Sequence, residues 1–327
     1  AMLGVLYGAL ASGSSQLSLG THGEIEVNGK AWFAAGNISV TVGGTTYSTA
    51  DASLKSAGAP TASSGSDTLG AFTSTTQAWT AGGTPYTTSA RLYSEGQFVI
   101  FEQAFPKGAT GTNITETTGA SVVSSCYPSI DPQPVGGTAL GYVSWEGRAF
   151  LEGSHGGTWD GSANGSPGPS TGDNGGTFVV FTEELHDSLV FSPASNFMTI
   201  SPGMSKAPGK AVPAKYESSK SIDYDPNFQH PGAGALSEAS PAPSSDGSFC
   251  FGLDAPVESV PSGYSLETIV HLGIGVNAAM KSWGTTMLKK YNTVRPVDYA
   301  SEWLGFSTDN GAYYYYGWHP TATTPGV

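Results

Sequence analysis

"SARLYSEGQFVIFEQAF", Ser89 to Phe105, decides the class of the fold. Leu92 alternates with Arg91 and Tyr93, the turn Ser94-Glu95-Gly96 follows, and Phe98, Ile100 and Glu102 then oppose Val99, Phe101 and Gln103. A period of two on both sides of a turn, with a glycine free to take positive φ, is the pattern of an antiparallel hairpin. The same grammar recurs outward in both directions. "GEIEVNG", "NISVTVGG" and "GAFTSTTQAW" precede the hairpin; "GYVSWEGRAFLEG", read as a second hairpin turning at Glu146-Gly147, follows it, and then "TFVVFT", "SLVFS", "NFMTI", "SFCFGL" and "SLETIVHLG". Short strands between Gly23 and His271, separated by Gly, Asn, Ser and Pro, predict a mainly β protein built as a large two-sheet antiparallel sandwich. Two stretches, Ser154 to Gly176 and Ser201 to Gly247, read as long loops.

Beyond His271 the period changes. "GVNAAMKSWGTTMLKKYN" spaces Val276, Met280, Trp283, Met287, Leu288 and Tyr291 as one face of a helix, and Lys289 and Lys290 complement the dipole at its C-terminal end. The expected organisation is a sandwich over 1–272, a linker helix and connector over 273–300, and a terminal strand and loop over 301–327.

Composition narrows the function classes. The 327 residues suffice for one large or two medium domains, and 45 Gly and 21 Pro beside 38% apolar and 11% aromatic residues exclude collagen and general disorder. Thirteen Lys and Arg stand against 26 Asp and Glu, a formal charge of -13, with no cationic cluster longer than Lys289-Lys290. Nucleic acid and membrane are therefore not expected partners, and no apolar run is long enough to cross a bilayer as a helix. The start, "AMLGVLYGALASGSSQ", has no cationic region before Lys30 and reads as a mature or processed terminus. Sequons at Asn37, Asn113 and Asn164, the last weakened by Pro167, favour a secreted or extracellular glycoprotein. Cys126 and Cys250 either pair, closing a long loop, or stay as two separate buried thiols; the sequence leaves both open.

Candidate chemistry is sparse. "FTEELHDS" gathers Glu183, Glu184, His186 and Asp187, but adjacent residues on a turn point apart, and a polar turn is the plainer account. "HGGTWDGSAN" offers His155, Trp159, Asp160 and Asn164 as a sugar or calcium site, yet lacks the regular ligand spacing of a calcium loop. His271, inside an apolar strand, suits a core position. No phosphate-binding loop, zinc spacing or nucleophile elbow occurs, so no cofactor or metal is expected. The closing stretch, "LGFSTDNGAYYYYGWHP" from Leu304, is either a buried strand ending in an acidic turn or a hairpin turn between antiparallel strands.

Taken in order, "GSDTLGAFTSTTQAW", the Ser89–Phe105 hairpin with Pro106, "LVFSPASNFM", "GYSLETIVHLGIGVNAAMKSWGTTML" and "LGFSTDNGAYYYY" resemble the front half of multidomain glycoside hydrolases of the α-galactosidase, raffinose-synthase and α-glucosidase group, in a form like that of algae and other protists. The resemblance implies a β-supersandwich joined through a linker helix to a catalytic (β/α) barrel. It places Trp303 to Thr308 on the first barrel strand and makes Asp309 a substrate-hydroxyl ligand; read locally, Asn310 stands beside it, Tyr313 offers a stacking face, and with Trp159 and Asp160 of the earlier stretch these are the expected sugar-binding residues. A retaining glycosidase needs two carboxyls about 5 to 5.5 Å apart. No complete pair is visible in the chain, so whether it is itself an enzyme stays open and no catalytic residue is assigned. The expected partners are carbohydrate and either a barrel domain or further copies of the chain. The rival reading is an extracellular wall, sheath or filament protein that assembles through its strand edges.

Overall fold

The computed structural model describes residues 15–21, 23–114, 122–145, 154–159, 177–182, 186–205, 249–294, 297–303 and 305. In chain order the first strands are β1 (Leu17–Leu19), β2 (Ile25–Val27), β3 (Lys30–Ala35), β4 (Ser39–Val42), β5 (Thr45–Ser48), β6 (Lys55–Ser56), β7 (Thr61–Asp67), β8 (Gly70–Ala81), β9 (Thr84–Tyr93), β10 (Phe98–Phe105) and β11 (Ala109–Thr110). There follow β12 (Val122–Val123), β13 (Ser125–Cys126), β14 (Ser129–Pro132), β15 (Leu140–Trp145), β16 (Ser154–Trp159), β17 (Phe178–Phe181), β18 (Asp187–Pro193), β19 (Ile200–Ser205), β20 (Phe249–Leu253), β21 (Ser259–Val260) and β22 (Tyr264–Ile274). Two helices, α1 (Val276–Lys290) and α2 (Tyr299–Glu302), complete the described elements.

The fold is a β-sandwich. A ten-stranded sheet runs β16-β15-β17-β18-β22-β10-β9-β8-β6, with β7 added beside β8, and a seven-stranded sheet runs β1-β2-β3-β14-β20-β19-β12. Every pairing in the large sheet is antiparallel. Alternation decides what each face buries. Val99, Phe101 and Phe105 of β10 point to the interior with Tyr86 and Ala90 of β9, Leu266 and Val270 of β22, and Phe178, Phe191, Phe249 and Phe251. Fully burying each such side chain contributes roughly 1.5 to 3 kcal/mol relative to leaving it in water. One polar bridge crosses this core: Tyr86 Oη donates to Gln103 Oε1 at 2.8 Å, and Gln103 Nε2 donates to the carbonyls of Tyr127 at 2.5 Å and Phe251 at 3.0 Å. Buried polar groups so paired fix the register of one sheet over the other. Cys126 and Cys250 form a disulfide, their Cα atoms 5.3 Å apart, joining β13 to β20.

The outer face of the large sheet is covered by α1. Gly273 of β22 lies against the backbone of Ala279, so a Cβ at 273 would collide with the helix. Ala279, Val179 and Val190 are buried together with Trp283 and Met280 packed on them, and Trp283 and Met287 reach the second outer cluster of Tyr93, Phe98, Ile100 and Ile269. His271 Nε2 lies 3.1 Å from Thr286 Oγ1, and its Nδ1 lies 2.9 Å from the Leu272 carbonyl, so this core histidine ties strand to helix.

Several sequence expectations change. The strand partner of Trp145 is Ser154, not Arg148, so the hairpin is not closed at Glu146-Gly147, and "SHGGTW" is strand β16 rather than loop. "NFMTI" is a turn up to Thr199: Asn196 takes φ 50°, its Nδ2 donates to the Ser265 carbonyl at 2.6 Å, and Phe197 and Met198 are exposed. In the deciding hairpin Tyr93 pairs with Phe98, and the positive φ falls on Gln97, not Gly96; the glycine is needed because a Cβ there would meet the Phe98 ring. Glu302, just before the expected terminal strand, ends α2. The remainder of the expected terminal strand, apart from Trp303 and Gly305, lies outside the described residues.

Candidate functional site

One end of the sandwich is open. The β4–β5 turn, the β8–β9 turn and the stretch after β10 meet there around a hollow of about 530 Å³. Their convergence is a consequence of hairpin geometry. Ala81 pairs with Thr84 across Gly82-Gly83, whose φ values of 56° and 92° suit the tight turn that matches strand twist. Gly82 also leaves room for the Tyr47 hydroxyl, which a Cβ would strike. The hollow is lined by the Tyr47 side of β5, by Thr84 and Pro85, and by Lys107 and Thr110. None of its lining residues is Asp, Glu or His. It offers a ring, hydroxyls and an ammonium for binding, and no pair of groups for general acid and base work.

Among the described residues, Asp67, Glu102 and Glu267 stand away from the hollow and are engaged. On the outer face Arg91 Nη2 donates to Glu267 Oε1 and lies 3.9 Å from Glu102 Oε2, while Arg91 Nη1 lies 3.8 Å from Asp67 Oδ2. Lys290 Nζ donates to Glu267 Oε2 at 2.5 Å, and Tyr93 Oη to Asp67 Oδ2 at 2.6 Å. Burial works against the Arg91 charge, but Glu267 and its acidic neighbours outweigh it and hold the guanidinium pKa up. Burial raises the Tyr93 phenol, and donation to Asp67 raises it further; for Asp67 the burial cost is outweighed by hydrogen bonds from Tyr93 and the Leu69 amide, so its carboxyl sits below the usual range. The cluster therefore clamps the end of α1 onto the sheet, with Lys289 Nζ donating to the Leu69 carbonyl at 3.1 Å and Tyr291 Oη to that of Ala194 at 2.6 Å.

The "FTEELHDS" segment is a second clasp. His186 Nδ1 lies 3.2 Å from Asp187 Oδ1, and Asp187 accepts from Ser15 Oγ at 2.5 Å and Asn28 Nδ2 at 3.3 Å. The serine bonds the carboxylate and not the imidazole, so this is no nucleophile and base arrangement. Glu183 and Glu184 lie outside the described residues. Among the described residues no group of three or more His, Cys, Asp or Glu is arranged to hold a metal ion, and no helix is long and apolar enough to cross a membrane.

Of the expected sugar ligands, Trp159 is a core residue, 2% exposed, its ring against Phe33, Phe178 and Phe249, with no face left for a sugar. Asp160, Asp309, Asn310 and Tyr313 lie outside the described residues, as does Asn164. Asn37 is exposed and Asn113 half-buried. The residues of the hollow were missed by sequence reading. The only signals were the Gly43-Gly44 and Gly82-Gly83 pairs, which mark two turns without showing that both fall at one end.

No protein-family model matches the chain, and no curated protein matches it in sequence. The solved structures that overlap it include a β-arabinopyranosidase, with 8% identity and a TM-score of 0.42 over 79% of this chain and 38% of that one, and an α-galactosidase from Lactobacillus brevis, with 9% identity and a TM-score of 0.36 over 85% of this chain and 31% of that one. The chain spans less than two fifths of either. Agreement this loose transfers neither a site nor a reaction.

Proposed function

We propose that the chain is the non-catalytic sandwich of a secreted glycoside hydrolase-like protein, a scaffold that supports carbohydrate binding or the hydrolysis of α-linked galactosides or glucosides by a neighbouring barrel domain. The observation that carries this reading is the apolar row where the chain leaves the sandwich: Leu288, Tyr291, Val294, Val297, Tyr299 and Trp303 are 43 to 87% exposed, within sixteen residues. Exposed apolar side chains so close together in sequence suit a second domain packed beside them. Two further features support the reading. A disulfide is the kind of bond that persists in an oxidising compartment, and Asp67, Glu102, Asp187 and Glu267 are engaged in clasps while none of the residues lining the hollow is a carboxylate. Carbohydrate would bind through the hollow, where Tyr47 supplies a ring face and Thr84 and Thr110 supply hydroxyls.

The test is to incubate this chain with aryl α-galactosides and α-glucosides and, separately, with immobilised glycans. The expected result is no turnover, with glycan retention that is lost in Tyr47→Ala. Turnover by the chain alone overturns the scaffold role, and retention unchanged by Tyr47→Ala removes the hollow from it.

A further inference from the structure

Most sheet edges among the described residues are short. The seven-stranded sheet ends in β1 and β12, of three and two residues, and β6 on the large sheet has two residues, one of them Lys55. β16, at the other end of the large sheet, has six residues with Gly156-Gly157 among them, and β7 is the longest edge. It is seven residues long, pairs only with β8, and all seven residues are exposed. From Thr61 to Ser66 it carries no charge, proline or bulge, the devices that keep an edge from pairing.

Its register shows which groups are free. The β7–β8 hairpin closes with Asp67 opposite Gly70 around the two-residue turn Thr68-Leu69. In such a hairpin the closing pair exchanges hydrogen bonds, and bonding then alternates along the strand. Asp67, Gly65, Ser63 and Thr61 thus bond to β8, whereas Ala62, Ser64 and Ser66 turn their amides and carbonyls away from it. The strand is held straight by its neighbours: Gly65 lies under the Phe72 ring, where a Cβ would come within 2.8 Å of Cζ, and Asp67 is fixed by Tyr93 and by the Leu69 amide at 2.8 Å.

We propose that β7 pairs with the β7 of a second copy of this chain, antiparallel about a two-fold axis at Ser64. Ala62 then faces Ser66 of the other copy and Ser64 faces its counterpart, so the three outward amides and three outward carbonyls of each strand all find partners. No other alignment of the two strands satisfies all of them. The cross-strand neighbours are small: Ser63 meets Gly65, and Thr61 meets Asp67, which keeps the two carboxylates at opposite ends. An extended strand of small residues fits against this edge, and Thr61 to Ser66 of a second copy is extended, small-residued and uncharged. The pairing uses the same surface on both copies, so it closes at two and leaves no β7 edge for a filament. Because each chain carries a net charge of -13, added salt strengthens the association by screening repulsion.

Sedimentation equilibrium of the wild-type chain over rising concentration is expected to show the mass doubling, sooner at high salt, and going no further. Ser64→Pro removes one outward amide and none that bonds β8, so it is expected to stay at the mass of one chain with an unchanged thermal midpoint. Amide exchange gives a second readout that needs no variant: the amides of Ala62, Ser64 and Ser66 slow as concentration rises, while those of Ser63 and Gly65 do not change. A wild-type chain that stays single, a doubling that survives Ser64→Pro, or protection that appears on another edge overturns the proposal. None of these outcomes bears on the carbohydrate reading, which rests on other surfaces.

Discussion

The two faces of the ten-stranded sheet are covered in different ways. The inner face meets another sheet from β10, β9 and β22 across to β15 and is sealed there by aromatic side chains, with one polar bridge through Gln103. The outer face meets one helix, seated on Gly273 and Ala279 and pinned at its end by Lys289, Lys290 and Tyr291. Sheet on sheet gains its stability from area, whereas the helix depends on a few close approaches and charge-assisted bonds. The difference teaches that the outer layer can open while the sandwich stays closed.

Breaking the sandwich, rather than the helix layer, has the largest expected effect. Cys126→Ser with Cys250→Ser releases a loop of 124 residues, which the chain-entropy account puts at about 4 to 5 kcal/mol of stability; urea unfolding with and without the bond measures it. Gln103→Leu strands the Tyr86 hydroxyl and takes a donor from the Tyr127 carbonyl, while the Phe251 carbonyl keeps the Tyr127 amide, and is expected to cost about 2 to 3 kcal/mol in the same experiment. On the outer side, Gly273→Val forces the backbone of Ala279 away. It is expected to cost about 2 to 3 kcal/mol, with Trp283 fluorescence reporting the displaced helix.

Legibility followed the same divide. Strands were readable where their side chains are buried, as in β10 and β22, and so was the apolar stripe of α1 apart from Leu288, which is exposed. Alternation failed where burial did not write a pattern. β7 is exposed on both sides, so "TASSGSD" shows no alternation at all. β16 looked like a loop because Gly156 and Gly157 interrupt it, yet glycine is what lets the strand lie close to Tyr142, 3.3 Å from its carbonyl to a Cβ on Gly156. "NFMTI" misled in the other direction, since its apolar residues end up on a turn. Of the candidate site, Trp159 was chosen for its chemistry in a stretch read as a loop, and its burial depends on β16, which the glycines hid.

Smaller effects sharpen the comparison. Glu267→Gln loosens both Lys290 and Arg91, but these groups are partly solvated, so about 1 to 2 kcal/mol is expected. His271 gives the smallest signal, in pH. Burial pushes its pKa below the ordinary histidine value, against a weaker pull from the Leu272 carbonyl. The folded state then binds fewer protons than the unfolded one, so stability is full above about pH 6.5 and declines as pH falls below it toward the folded value. His271→Gln is expected to remove that part of the slope, read as the difference between wild-type and variant denaturation curves.

The most direct test of separable layers is native-state hydrogen exchange across a range of denaturant. The amides of Val276 to Lys290 are expected to exchange through an opening that costs less free energy than global unfolding, while those of β10, β20 and β22 exchange only when the whole sandwich unfolds. If the helix amides and the β10 amides share one opening free energy, helix and sandwich form a single cooperative unit, and the two-layer account is wrong.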